Sequence, residues 1–362
     1  MSFHYGQPEE VGMSSNRLQI VERTAERLLR EGISPAQVIA AARRGTMVLH
    51  KAYGVSGPEA EAPPLTLESL FPICSITKVF TAACIMMLVE DGLVGLNRPV
   101  CDYIPEFTGD GKREIRIHHL LTHTSGLTNE STHEHVERKR ALMPGLSDDK
   151  RSDADFMQLS YDSPICRPPG QAMAYCGYGF ELLGEVISRT SGMTYTEFAR
   201  TRLFEPLGMD STYFIVPSSE RYRLVRRPSD APCAEWLANE SFLQSESPAG
   251  GAISTALDLA KFGQLFLNRG EYNRSRLLGP AAVSEMVKNQ IPGISSSYRD
   301  EYFPEAYWGY GWSINGDKRD GGDLFSPSAF SHWGAAGPFL CVDPVYETVH
   351  VYMNRAQPRQ TF

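Results

Sequence analysis

Ser75-Ile76-Thr77-Lys78 opens an apolar run, Val79-Phe80-Thr81-Ala82-Ala83-Cys84-Ile85-Met86-Met87-Leu88-Val89-Glu90. Read as a helix, the run sets Ser75 and Lys78 three residues apart on one face, so the lysine amine reaches the serine hydroxyl. The hydroxyl then stands at a helix N-terminus, where free backbone N–H groups favour negative charge. A serine is a weak nucleophile until a base takes its proton. A lysine stripped of water becomes such a base, because desolvation lowers its pKa. An isolated S-x-x-K is commonly a solvated helix start. Here the preceding Leu70-Phe71-Pro72-Ile73-Cys74 is apolar as well, and a lysine between two apolar segments calls for a function. The tetrad offers a nucleophile, a base and part of an oxyanion hole.

The rest of the chain has an ordinary globular composition. Its 362 residues are 42% hydrophobic and 22% charged, enough for one large domain or two packed subdomains. A formal net charge of -8 argues against nucleic acid and anionic membranes as partners. The first ten residues have no basic segment followed by an apolar one, and the run after Lys78 is too short to span a bilayer. A cytoplasmic location is therefore expected. The seven cysteines (Cys74, Cys84, Cys101, Cys166, Cys176, Cys233 and Cys341) are odd in number and contain no C-x-x-C pair. Free thiols are expected, rather than a zinc site or a disulfide framework.

Ser14 or Ser15 is placed to cap a first helix with Leu18, Ile20, Val21, Ala25, Leu28 and Leu29 as its apolar face. Gln37 to Ala42 and Thr46 to Tyr53 read as strands joined at Arg43-Arg44-Gly45. The stretch from Ile115 to Met209 reads as helices and loops, with Glu130 to Asp155 a polar loop. Helices are expected over Phe180 to Arg189, Tyr195 to Leu203 and Ala256 to Leu267. Strands return at Gly309 to Asn315, Ala329 to Trp333, Pro338 to Asp343 and Thr348 to Asn354. This order predicts an α/β subdomain from residues 1–72 and 240–362, a mainly helical subdomain over 73–239, and a site in the cleft between them.

Further blocks follow the tetrad: Leu120-Leu121-Thr122-His123-Thr124-Ser125-Gly126-Leu127, Pro169-Gly170-Gln171-Ala172-Met173-Ala174-Tyr175, Pro248-Ala249-Gly250-Gly251-Ala252-Ile253-Ser254-Thr255 and His332-Trp333-Gly334. In this order they resemble the serine β-lactamase-like superfamily, in the branch of class C β-lactamases, family VIII carboxylesterases, DD-peptidases and acyltransferases. The resemblance runs from about Pro8 to Asn354. It implies an α/β plus α fold of the β-lactamase (DD-peptidase) kind, an antiparallel sheet flanked by helices with a mainly helical subdomain. It also implies Ser75 as nucleophile, with Lys78 and Tyr175 sharing its proton and passing it to the leaving group. The backbone N–H groups of Ser75 and Ala335 would form the oxyanion hole, and His332, Trp333, Gly334 and Gly177 would meet the substrate. Acyl transfer needs such a set: a nucleophile, a nearby base and two donors aimed at the developing oxyanion.

Two positions depart from the β-lactamase pattern. Gly177 stands where those enzymes carry the asparagine of Y-x-N, whose amide grips the acylamino group of a β-lactam or peptide. His332 replaces the lysine of K-T-G and removes a permanent charge from the carboxylate side of the pocket. Both changes favour neutral esters. The expectation is a serine hydrolase that cleaves carboxylic esters through a Ser75 acyl-enzyme or transfers the acyl group to an alcohol or amine, without metal or organic cofactor. β-Lactamase or D-amino-acid peptidase activity is the alternative within the enzyme class. A non-catalytic acyl-group-binding protein is the rival outside it.

Other residues read as structural. His123 and its threonines look like backbone ties at a helix end. His133 and His135, with Glu134 and Glu137, lack a clear third ligand and an H-E-x-x-H frame. No G-x-S-x-G elbow is present, which disfavours an α/β-hydrolase. Trp308, Tyr310, Trp312, Trp333 and Phe339 read mainly as core, with Trp333 expected to point away from His332 and Gly334.

Overall fold

A helix that is apolar all round has to be buried, and the run after Ser75 follows that rule. In the computed structural model, which describes residues 3–142, 153–227, 237, 240–298 and 301–355, every residue from Thr77 to Leu88 is buried. The chain runs β1 (His4–Tyr5), α1 (Ser15–Arg30), β2 (Ala36–Arg43), β3 (Thr46–Gly54), β4 (Phe71–Pro72), α2 (Thr77–Glu90), α3 (Ile117–Leu121), α4 (Asn129–Ala141), α5 (Asp153–Ser160) and α6 (Tyr178–Ser191). After α6 come helices Tyr195–Ala199, Ala256–Leu267 and Pro280–Met286. The remaining strands are β5 (Ile253–Ser254), β6 (Glu271–Tyr272), β7 (Ser275–Arg276), β8 (Ser296–Tyr298), β9 (Glu301–Phe303), β10 (Ser313–Ile314), β11 (Phe330–Trp333), β12 (Phe339–Asp343) and β13 (Thr348–Asn354).

Seven strands form the main sheet in the order β1-β3-β2-β13-β12-β11-β10. The two ends of the chain meet at its centre, where β13 pairs antiparallel with β2, Tyr352 opposite Ile39. The sheet is not antiparallel throughout. β1 lies parallel to β3, His4 opposite Thr46. Parallel neighbours need a long connection, and α1 with β2 supplies it. The strand expected over Gly309 to Asn315 shortens to Ser313–Ile314.

One apolar core joins sheet and helices: Val38, Phe80, Leu182, Phe262 and Leu340 all belong to it. Phe80 of α2 meets Phe262 and Phe204 edge-on, with ring centroids 4.7 and 5.2 Å apart. This packing clamps the helix that carries Lys78, so the lysine has little freedom to leave.

Two sequence expectations need correction. Ser14 does cap α1, accepting from the Arg17 N–H, but Ile20 and Val21 are exposed and the inner face falls on Leu18, Ala25, Leu28 and Leu29. The polar stretch from Glu130 is no loop, for α4 occupies Asn129–Ala141 and α5 occupies Asp153–Ser160, while residues 143–152 lie outside the described ones. Thr128 caps α4 through the Ser131 N–H, and Arg138, Lys139 and Arg140 complement its C-terminal dipole. Only Thr132 and Val136 are buried, a stripe too narrow to show as helical periodicity in the sequence.

Cys74, Cys84, Cys101, Cys166, Cys176 and Cys341 are not joined in disulfides, and Cys233 lies outside the described residues. Among the described residues no helix is long and apolar enough to cross a membrane, and no group of three His, Cys, Asp or Glu side chains is placed to hold a metal ion.

Candidate active site

Ser75 sits in a 3-10 turn, Cys74–Ile76, that runs straight into α2. It is the one partly open residue between Ser69 and Leu88. Cys74 adopts a left-handed conformation, φ +46°, which costs a non-glycine residue about 1 kcal/mol. Its surroundings hold it there. The Thr77 hydroxyl donates to the Cys74 carbonyl at 2.6 Å, and the Ile73 N–H donates to the Ala252 carbonyl at 3.0 Å.

β11 comes up against this turn. A Cβ on Gly334 would lie 2.3 Å from the Ile73 carbonyl oxygen, so only glycine lets the chain pass so close. Ala335, the next residue, packs against the small cluster of Cys74, Leu237 and Ala336. The backbone after His332-Trp333-Gly334 is thereby delivered beside the serine turn, the juxtaposition a two-donor oxyanion hole requires.

Lys78 is the second residue of α2, one turn on from Ser75, and only 3% exposed. Its Nζ donates to Ser75 Oγ at 3.2 Å and to the Ala249 carbonyl at 2.6 Å, and it stands 5.0 Å from the centre of the Tyr175 ring. Burial brings its pKa down to about 8, opposed by the nearby Glu181 carboxylate and then by the Cys176 and Cys74 thiols. The turn that supplies Ala249 is pinned from several sides. Thr77 Oγ1 accepts from the Ala252 N–H at 3.1 Å, and Thr81 Oγ1 donates to the Pro248 carbonyl at 2.7 Å. From α6, Glu181 accepts a hydrogen bond from Ser247 Oγ, which in turn accepts from the Ala249 N–H at 3.2 Å.

Glu181 therefore braces the turn under Lys78 and also holds up the lysine's pKa. Glu181→Gln keeps an oxygen for Ser247 and removes the charge. The acid limb of the kcat/KM–pH profile is expected to move to lower pH, because the lysine loses a group that favours its ammonium form. A limb that stays in place would show that the charge is not felt.

Tyr175 stands on the loop leading into α6. Its ring lies 4.4 Å from His123, 6.1 Å from Trp308 and 6.3 Å from His332, centroid to centroid. His123 Nδ1 accepts the Cys176 N–H at 3.1 Å, so the imidazole holds the backbone just after Tyr175 while covering one face of its ring. The sequence reading of His123 as a backbone tie holds, but its ring contact with Tyr175 left no local signal. Tyr178 is engaged elsewhere, its buried hydroxyl donating to the Ser160 carbonyl at 3.0 Å.

His332 Nδ1 donates to the Trp333 carbonyl at 2.9 Å, which leaves Nε2 as a bare acceptor. Burial, reinforced by the Lys78 charge, pushes its pKa down to about 3, so the ring is neutral. Among the described residues, His332 Nε2, His123 Nε2 and Trp308 Nε1 are all buried without a hydrogen-bond partner. Native interiors leave few such atoms, and three around one tyrosine mark a polar site. Trp333 does not turn away as strand alternation predicts. It packs on the Trp308 cluster with Met173 and Ile294, and His332 meets the same Trp308 ring at 5.8 Å.

The β-lactamase family profile matches residues 21–361. The chain is 27% identical over 301 residues to penicillin-binding protein 4 of Amycolatopsis lactamdurans, covering 80% of this chain and 70% of that protein. It is 31% identical over 298 residues to the lovastatin esterase of Penicillium rubens, covering 74% and 72%. A penicillin-binding-protein homologue from Caulobacter crescentus shares the fold, with TM-score 0.76, 24% identity and coverage of 96% and 93%. The serine–lysine pair at the start of a buried helix, faced by a strand from the far end of the chain, thus sits in a match that spans nearly every residue, and the protein is a member of the β-lactamase family.

Proposed function

We propose that this protein is a serine esterase that forms an acyl-enzyme on Ser75. The observation that carries the reaction type is the buried Lys78 amine 3.2 Å from a partly open Ser75 hydroxyl. In its neutral form Lys78 takes the Ser75 proton as Oγ attacks the substrate carbonyl carbon. The oxyanion is received between the backbone N–H groups of Ser75 and Ala335. Tyr175, beside the lysine, hands the proton to the leaving alcohol as the carbon–oxygen bond breaks, and water or a second alcohol then takes the acyl group.

The preference for esters rests on His332. A neutral imidazole with a bare Nε2 offers no cation to a β-lactam or peptide carboxylate. Lys318, the other buried ammonium nearby, is already held by Asp320 at 3.1 Å, Ser313 Oγ at 2.7 Å and the Ala306 carbonyl at 2.9 Å. The likeness to lovastatin esterase supports the same reading, and the likeness to penicillin-binding protein 4 supports the alternative of peptidase or β-lactamase activity. The test is a comparison of kcat/KM for p-nitrophenyl butyrate with nitrocefin and benzylpenicillin at one pH. The ester is expected to lead by about tenfold or more. A tenfold preference for the β-lactam, about 1.4 kcal/mol of transition-state stabilisation, would put the alternative in its place.

A further inference from the structure

Of the residues on the proton path, Ser75 and Lys78 stand on a 3-10 turn and the helix it runs into, whereas Tyr175 lies in a loop, for residues 172–176 belong to no helix or strand. That loop takes its shape from the turn after α3. Cys166 N–H donates to the Gly126 carbonyl at 2.8 Å, Gly170 N–H to the Thr124 carbonyl at 2.7 Å and Ala174 N–H to the His123 carbonyl at 2.9 Å. The next tie goes to a side chain instead, with Cys176 N–H donating to His123 Nδ1 at 3.1 Å. His123 thus brackets Tyr175. Its carbonyl holds the residue before, its imidazole holds the residue after, and its ring centroid lies 4.4 Å from that of the tyrosine. Past Cys176, the Gly177 and Tyr178 N–H groups donate to Asn129 Oδ1 at 2.9 and 3.2 Å, which fixes the start of α6.

The backbone of His123 is left-handed, φ +58°. Such strain persists only where neighbours over-determine it, and it gathers at functional sites. Here Thr124 N–H donates to the His119 carbonyl at 2.9 Å, and a Cβ on Gly126 would lie 2.0 Å from the Arg167 carbonyl oxygen, so the turn is pressed hard against the loop. The imidazole is buried, and since Nδ1 accepts, its proton sits on Nε2. Burial, then the Lys78 charge and His332, hold its pKa well below the ordinary histidine value, so the ring is neutral. With Nδ1 committed to Cys176 and Nε2 already protonated, His123 is not placed to take a proton from Tyr175. What it supplies is position.

We propose that His123 is a positioning residue for the proton-transfer step, its Nδ1 fixing the Tyr175 loop so that the phenol stays beside Lys78. Without that acceptor the N–H of the buried Cys176 has to find another partner, and the loop moves to give it one. The inference rests on the acyl-transfer reading of Ser75 and not on the preference for esters.

The experiment is a double-mutant cycle on kcat between positions 123 and 175. The substrate is ethyl butyrate, followed by titration of the acid released, because an alkoxide leaving group needs the proton. His123→Phe keeps a ring and deletes the acceptor. In the wild-type background it is expected to lower kcat by about 30-fold, within what a small misplacement of a reacting group costs, with KM changed by less than about threefold. In the Tyr175→Phe background no hydroxyl is left to misplace, and the same substitution is expected to cost less than about threefold. A general loosening of the fold would cost the same in both backgrounds. A ratio of the two costs below about threefold overturns the proposal. Phenylalanine is strained at φ +58°, so if that variant lacks the wild-type circular dichroism, His123→Gly decides by the same threshold, being at ease in this backbone and equally without an acceptor. If the wild-type protein turns over neither ethyl butyrate nor nitrocefin, the acyl-transfer reading fails and takes this inference with it. If it turns over either one and the ratio stays below the threshold on that substrate, the acyl-transfer reading stands and this inference alone is lost.

Discussion

Ser75→Ala is expected to lower ester turnover by about 10^4-fold or more, the scale on which a lost nucleophile acts, with an unchanged far-UV circular dichroism spectrum. The substitution removes one oxygen whose partner is Lys78 Nζ, and nothing in the core. The turn around it is held by other groups: the Thr77 hydroxyl on the Cys74 carbonyl and the Ile73 N–H on the Ala252 carbonyl. Alanine has no conformational objection to a 3-10 turn. A fluorophosphonate should label the wild-type chain at Ser75 and leave the alanine variant unlabelled. A non-catalytic binding protein on this fold would show neither labelling nor release of p-nitrophenol. Turnover at the wild-type rate in Ser75→Ala would move the chemistry to another residue and end the acyl-enzyme mechanism proposed for this site.

What could be read from the sequence divides along a physical line. The tetrad was legible because Ser75 and Lys78 are three residues apart across a 3-10 turn that runs into a helix buried on every side from Thr77 to Leu88. The strand pairs at both chain ends were legible from short apolar runs bounded by turn residues, and Thr348–Asn354 has the bounds expected. Gly334 was legible as part of a motif, and the structure supplies its cause in the 2.3 Å approach to the Ile73 carbonyl. The features that escaped depend on contacts far apart in the chain. Asn129 meets Gly177 across 48 positions, and it lies in a polar stretch whose helix buries only Thr132 and Val136. His123 meets the Tyr175 ring across a similar gap. The parallel edge strand β1 is two residues long and carries no periodicity of its own. Local pattern reports on the face an element buries, and it is silent on which side chain arrives from elsewhere to complete a site.

Lys78→Met and Tyr175→Phe are each expected to lower kcat by about 100-fold or more, the lower end of general acid–base contributions. Methionine is the cleaner replacement at 78, since alanine would open a cavity in a helix buried from Thr77 to Leu88. Phenylalanine keeps the ring that packs on His123 and deletes only the hydroxyl. Because the ammonium lies 5.0 Å from the tyrosine ring and 3.2 Å from the serine, the two residues handle one proton between them. The double variant should therefore lose much less than the product of the single losses. The pH dependence follows from the same geometry. Lys78 accepts a proton only when neutral, and burial lowers its pKa to about 8. Below that value it is an ammonium ion and cannot act as base, so kcat/KM should rise with pH through the region around 8 and level off above it. His332, neutral across this range, should add no second limb. Lys78→Met should flatten the rise along with the rate. A profile in the wild-type enzyme that is already level between pH 6 and 9 would mean that the buried amine is not the base, and that the proton leaves Ser75 by another path.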